Sequence, residues 1–117
     1  MGETFAEVIL RNNSKQIKKK LLVDTGATYS WIDAKVLKTL GVEPAVERTF
    51  ETIEGKFIKR KICFIDIECL GEKAPTAVVF AIGKDSEVLG LHALEGLALE
   101  VDPVNRRLKK SRAIKAL

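Results

Sequence analysis

The run Leu21-Leu22-Val23-Asp24-Thr25-Gly26-Ala27-Thr28 carries three apolar residues up to one carboxylate and then breaks into small and hydroxyl-bearing residues. A carboxylate becomes useful for proton transfer when its surroundings shift its affinity for the proton. Burial or a second carboxylate would raise the pKa of Asp24, and hydrogen bonds from Thr25, Gly26 and Ala27 would hold it ionised, so the stretch suits the tuning of one acid. Gly26 offers backbone angles closed to residues with a Cβ. An Asp that merely opens a turn ahead of a helix has the same local sequence, and Asp-Thr-Gly alone does not separate the two.

Other chemistry would have to come from His92, Cys63 or Cys69. No Gly-x-Ser-x-Gly motif accompanies the single His, and both cysteines fall inside an alternating apolar run, which speaks against a Ser-His or Cys-His hydrolase. His92 reads as a helix-surface or packing residue. In one extended strand the two thiols are separated by about 20 Å, too far to bridge. With one His, a His/Cys metal cluster is not available within one subunit, and the cysteines read as small buried apolar residues.

The elements that must hold Asp24 follow from periodicity. Thr4 to Leu10 alternates as a strand, Arg11-Asn12-Asn13-Ser14 is a turn cluster, and Lys18 to Val23 returns as the second arm of a hairpin. Lys18, Lys19 and Lys20 read as a solvated, charge-guarded strand edge. After the Asp24 turn, Tyr29 to Ile32 is a short strand; Asp33 is an N-cap for a helix carrying Val36, Leu37 and Leu40 and stopping at Gly41. Val46 to Ile53 is extended, Glu54-Gly55 forms a two-residue hairpin tip, and a long strand returns from Lys56 to about Leu70. Its apolar parity changes between Ile58, Ile62, Phe64 and Cys63, Ile65, Ile67, Cys69, which predicts a bulge near Lys61. Gly71-Glu72-Lys73 is a turn and Thr76 to Ile82 a buried strand. Val88-Leu89-Gly90 precedes a short helix with Leu91, Ala93 and Leu94, and Leu97 to Asp102 alternates as a strand. Pro103 and Asn105 then turn the chain toward Leu108. Trp31 and Tyr29 each read as core or pocket wall, with core the favoured place for Trp31.

At 117 residues, 46% hydrophobic and 31% charged, the chain fits one globular domain and excludes a disordered one. No apolar run approaches the roughly 20 residues of a membrane span, and Met1 to Ala6 resembles neither a signal peptide nor a myristoylation signal, which places the expected protein in the cytoplasm without a membrane partner. From Val104 onward Arg106, Arg107, Lys109, Lys110, Arg112 and Lys115 meet no acidic residue, so the +4 net charge resides in that segment and the preceding body is near neutral. The division expected is a domain over 1–103 and a basic extension over 104–117. The extension lacks interleaved aromatics, so no nucleic-acid partner is expected. Scarce Asn and Gln beside abundant Lys and Glu hint at a heat-adapted source.

The order of these pieces resembles the single lobe of a retropepsin-like aspartic protease of prokaryotic kind. Asp24-Thr25-Gly26 followed by Trp31-Ile32 is similar to the pattern around the catalytic Asp of pepsin-like enzymes, and Val88-Leu89-Gly90 to the family's apolar-apolar-Gly element. The resemblance covers roughly Phe5 to Asp102. It implies a mainly β, closed-barrel-like lobe with a ψ-loop, a flap hairpin and one or two short helices. It further implies Asp24 as the catalytic carboxylate; Thr25, Gly26 and Ala27 as the active-site turn; Thr25 as a lock to a partner subunit; Glu54 and Gly55 as the flap; and Val88, Leu89 and Gly90 as ψ-loop support, with no metal or cofactor.

Elementary chemistry leads to the same mechanism. Metal-free peptide hydrolysis through water needs one carboxylate to take a proton and one carboxylic acid to give one, and two acids about 3 Å apart share a proton because both cannot ionise. Asp33, Asp66, Asp85 and Asp102 lack a following Thr-Gly. The second acid must come from another copy, so the expectation is a homodimeric aspartic endopeptidase acting on a peptide or protein substrate through an Asp24/Asp24′ dyad on the two-fold axis. The alternative is a retropepsin-like dimerisation or peptide-binding module with weak or no hydrolysis. Two departures bear on it: retroviral members place an acid where Thr28 stands and an Arg where Leu91 stands, and their flaps hold more glycine than Gly55 alone.

Overall fold

Alternating side chains dictate the first hairpin. In β1 (Phe5–Asn12) Ala6, Val8 and Leu10 turn inward and are buried, while their neighbours stay partly or fully exposed. Asn12 pairs with Lys15, so only Asn13 and Ser14 connect β1 to β2 (Lys15–Val23), and Asn13 takes the left-handed φ of +55° that asparagine tolerates. This computed structural model describes residues 2–114 and 116–117. Met1 and Lys115, the latter one of the six basic residues of the C-terminal segment, lie outside the described residues.

Beyond the Asp24 turn come β3 (Ser30–Asp33) and α1 (Ala34–Thr39), the helix opening where Asp33 Oδ1 accepts the Lys35 N–H at 2.8 Å. The chain continues through β4 (Val46–Glu51), β5 (Phe57–Cys69), β6 (Glu72–Ala81), β7 (Val88–Leu89), α2 (Leu91–Leu97), β8 (Leu99–Asp102) and β9 (Arg107–Lys110). Seven strands form one sheet in the order β1-β2-β7-β3-β6-β5-β4, and β1 also pairs with β5 over Ile9 to Arg11. The fold is therefore mainly β, with two short helices and a ring of strands that stops short of a true barrel. Closure is partial because the short links are minimal: β7 gives two residues to β2 and a single pairing, Trp31 with Val88, to β3. β8 and β9 make a separate two-stranded sheet, so the first part of the basic segment is a paired strand.

Inside the ring lie Val8, Leu10, Leu21, Ile32, Leu37, Leu40, Ile67, Val78, Leu89 and Leu97, all essentially inaccessible to solvent. Each such side chain contributes about 2 kcal/mol of burial. No helix among the described residues is long and apolar enough to cross a membrane.

Several local expectations are corrected. β5 runs without a bulge: its register with β4 and then with β6 is unbroken through Lys61, Ile62 and Cys63. Ile62 and Cys63 are both buried because the strand passes there from the projecting hairpin into the body, where both of its faces are covered, and Phe64 points outward at 62% exposure. The hairpin tip is not Glu54-Gly55. Gly55 N–H donates to the Thr52 carbonyl at 2.9 Å, which puts Ile53 and Glu54 at the corner and Gly55 after it at φ +82°. The β5–β6 connection is Leu70-Gly71 alone, with both residues at positive φ, and Glu72 and Lys73 already belong to β6. Leu97 closes α2, and β8 starts at Leu99 after the left-handed Ala98 cap.

Candidate active site

Two segments distant in sequence cross at Asp24. β2 delivers Leu22 and Val23 beside Val88 and Leu89 of β7 in parallel register, and the Asp24 N–H then donates to the Leu89 carbonyl at 2.9 Å. The crossing is continued by three more bonds: Gly90 N–H to Ser30 Oγ at 3.0 Å, Leu91 N–H to the Ala27 carbonyl at 2.8 Å and His92 N–H to the Thr28 carbonyl at 3.0 Å. Ser30 is wholly buried, and its hydroxyl is what satisfies the Gly90 amide. Thr28 and Leu91, where retroviral members carry an acid and an Arg, are thus joined to this crossing through the main chain.

Gly90 is required by space. A Cβ on it would lie 2.4 Å from the Tyr29 carbonyl oxygen and 2.8 Å from that of Ala27. Gly26 is required for a different reason from the one its sequence suggests. Its φ is not left-handed; its N–H donates to Asp24 Oδ1 at 2.9 Å, and a Cβ would crowd that same oxygen at 3.2 Å. Ala27 N–H goes instead to the Asp24 main-chain carbonyl at 3.2 Å, which closes the turn, so of the three donors expected for the carboxylate only Gly26 bonds it among the described residues. Asp24, Thr25 and Gly26 are nevertheless solvent-exposed in the single chain.

Asp24 borders two hollows. One of about 340 Å³ is bounded by Thr28, Tyr29, Trp31, Phe50, Thr52 and Ile53. The other, about 230 Å³, lies toward Asp85, Ser86 and Val88. Ala27, Trp31, Thr52 and Ile58 line both, so Trp31 is a cleft wall and not core. A larger hollow of about 490 Å³, between β1 and β9, lies away from Asp24. The β4–β5 hairpin overhangs the carboxylate: Phe50 meets Trp31 edge-on at 5.2 Å between ring centroids and Tyr29 at 6.2 Å, and Tyr29 in turn meets His92 at 5.5 Å. Glu54 and Gly55 sit at its exposed end, next to the fully exposed Ile53.

The second hollow contains another carboxylate, but it is engaged. Arg60 of β5 holds Asp85 with both arms of its guanidinium, Nε to Oδ2 at 2.7 Å and Nη2 to Oδ1 at 3.0 Å. Hydrogen bonding from Arg60, aided by the Ile82 N–H, keeps the Asp85 carboxyl below the usual carboxylate range. Burial pushes the Cys63 thiol up to about 12, and Cys69 also upward, so neither is a ready nucleophile. Among the described residues no group of three or more His, Cys, Asp or Glu side chains is placed to hold a metal ion.

A family model described as an aspartyl protease matches residues 8–96, from β1 through α2. The chain belongs to that family. It is an aspartyl protease family of the retropepsin type, and the match spans both the Asp24 turn and the Val88-Leu89-Gly90 crossing. No curated protein matches the chain. Within this aspartyl protease lobe, the sequence motifs located Asp24, its turn and its crossing partner. Ser30, Phe50, Ile58, Arg60 and Asp85 were missed. Arg60 and Asp85 are 25 positions apart with no motif around either, and only β5 lying beside β6 brings them together.

Proposed function

We propose that the chain is one subunit of a homodimeric aspartic endopeptidase, in which Asp24 and its copy across a two-fold axis share one proton and activate a water against a peptide bond. The ionised carboxylate takes a proton from water as it attacks the carbonyl carbon; the protonated one gives its proton to the carbonyl oxygen, and the roles reverse as the amine leaves. The observation that carries this reading is the exposed Asp24, its turn tied into the crossing, at the floor of a cleft under a hairpin, while the nearby Asp85 is committed to Arg60. A carboxylate paired with a guanidinium is poorly suited to share a proton, so the second acid is assigned to a second copy. Glu54 and Gly55 are assigned to the closing flap, Thr25 to the contact between the two turns, and the apolar walls Trp31, Phe50 and Ile58 to substrate side chains.

The test is cleavage of casein or an unstructured polypeptide at acidic pH, alongside molar mass in solution. Wild-type protein is expected to be dimeric, to cut, and to be blocked by a statine-type inhibitor; Asp24→Asn is expected to stay dimeric and cut nothing. Cleavage that survives the substitution overturns the dyad. A dimer that binds peptide without cutting supports the second reading, a peptide-binding module, which the threonine in place of an acid at position 28 favours.

A further inference from the structure

The hairpin above Asp24 is fastened to the body at two points, one on each strand. On β4, Phe50 packs edge-on against Trp31 and Tyr29. On β5, Arg60 grips Asp85, and the two side chains are only 17% and 14% exposed. Asp85 is itself pinned, since its Oδ2 accepts the Ile82 N–H at 2.9 Å and its own N–H donates to the Ile82 carbonyl at 3.1 Å. Phe50 pairs with Ile58 in register and Arg48 with Arg60, so the two fastenings lie one pleat apart. Ile58 and Arg60 share a face of β5, and Ile58 lines both hollows at Asp24. Past the fastenings, the hairpin has no such hold: Ile53 and Phe57 are 107% and 72% exposed.

We infer that Arg60 and Asp85 are positioning residues that clamp the root of the hairpin to the loop before β7. Ile58 is thereby held as a fixed cleft wall, and opening is confined to the tip from Glu51 to Phe57. An arginine suits this task because its planar fork fixes orientation as well as distance. The inference rests on the reading of Asp24 as the catalytic carboxylate only for its kinetic consequence. Ile58 contacts substrate equally before and during reaction, so loss of the clamp raises KM about tenfold and changes kcat by less than about twofold.

The experiment is hydrogen exchange resolved by segment on the intact protein, comparing wild type with Asp85→Asn and Arg60→Lys. Arg11→Gln is the control, because it removes a different ion pair, the one with Glu68, away from the hairpin. The expected result is at least about tenfold faster exchange over residues 58–62 in Asp85→Asn, a smaller rise in Arg60→Lys, and unchanged β1 and β6. Unchanged exchange over 58–62, a rise spread over the whole molecule, or an equal rise over 58–62 in Arg11→Gln overturns the clamp. If Asp85→Asn does not fold, Arg60→Lys alone decides between these outcomes. Where the wild type cuts peptide, a fall in kcat at constant KM also overturns it. Exchange reads the clamp even in a protein that cuts nothing, so failure of the proposed activity and failure of the clamp are distinguishable.

Discussion

Gly90 lies so close beneath Tyr29 that a Cβ on it would stand 2.4 Å from the Tyr29 carbonyl oxygen. Main chain cannot swing aside as a side chain can, and the segment on either side is tied down by the Asp24–Leu89 and Leu91–Ala27 hydrogen bonds. Gly90→Ala is therefore expected to cost about 3 kcal/mol or more. Gly71→Ala is expected to cost only about 1 kcal/mol, because there a Cβ meets open space and the penalty is the positive φ alone. Urea unfolding of the two variants checks both values, and similar losses at the two sites would contradict the crossing geometry.

Acid should weaken the fold through Asp85. The Arg60 guanidinium and the Ile82 amide lower its pKa in the folded chain below 3.8, so the unfolded chain binds more protons as pH falls. The stabilisation is complete above that unfolded value and is lost as pH drops through the lower folded one. Urea midpoints are expected to stay level from about pH 7 to 5 and to decline below about pH 4. Asp85→Asn should lose about 2 kcal/mol at neutral pH and show a shallower acid decline. A decline as steep as that of the wild type would assign the acid sensitivity to other carboxylates, with Asp102, also held low by Asn105, the next to replace.

The two thiols should be silent in the native protein. Cys63 and Cys69 are 1% and 4% exposed, and burial raises both pKa values, that of Cys63 to about 12. Since the thiolate is the reacting form, a colorimetric disulfide reagent at pH 8 is expected to label neither cysteine over minutes and both in denaturant. Fast labelling of folded protein would show that β5 opens.

Much of the site could be read from local sequence, because local sequence was enough to specify it. Three apolar residues ending at Asp24-Thr25-Gly26, then Trp31-Ile32, then Val88-Leu89-Gly90 in that order, defined the turn, the crossing element and the family. Alternation and turn residues likewise determined most strands and both short helices, since strand period, N-cap and glycine signals act over a few residues. What only the tertiary structure decided depends on which faces come to be covered. Phe64 shares the apolar character of its neighbours yet faces outward, because the alternation of β5 is set by the body it packs against. Trp31 looked like core and became a cleft wall once β4 brought Phe50 to it. Gly26 looked like a glycine chosen for its backbone angle and proved to be one that leaves room for Asp24 Oδ1. The pairing of Arg60 with Asp85 has no sequence signal at all, because a guanidinium and a carboxylate 25 residues apart meet only when two strands and a loop have been laid side by side.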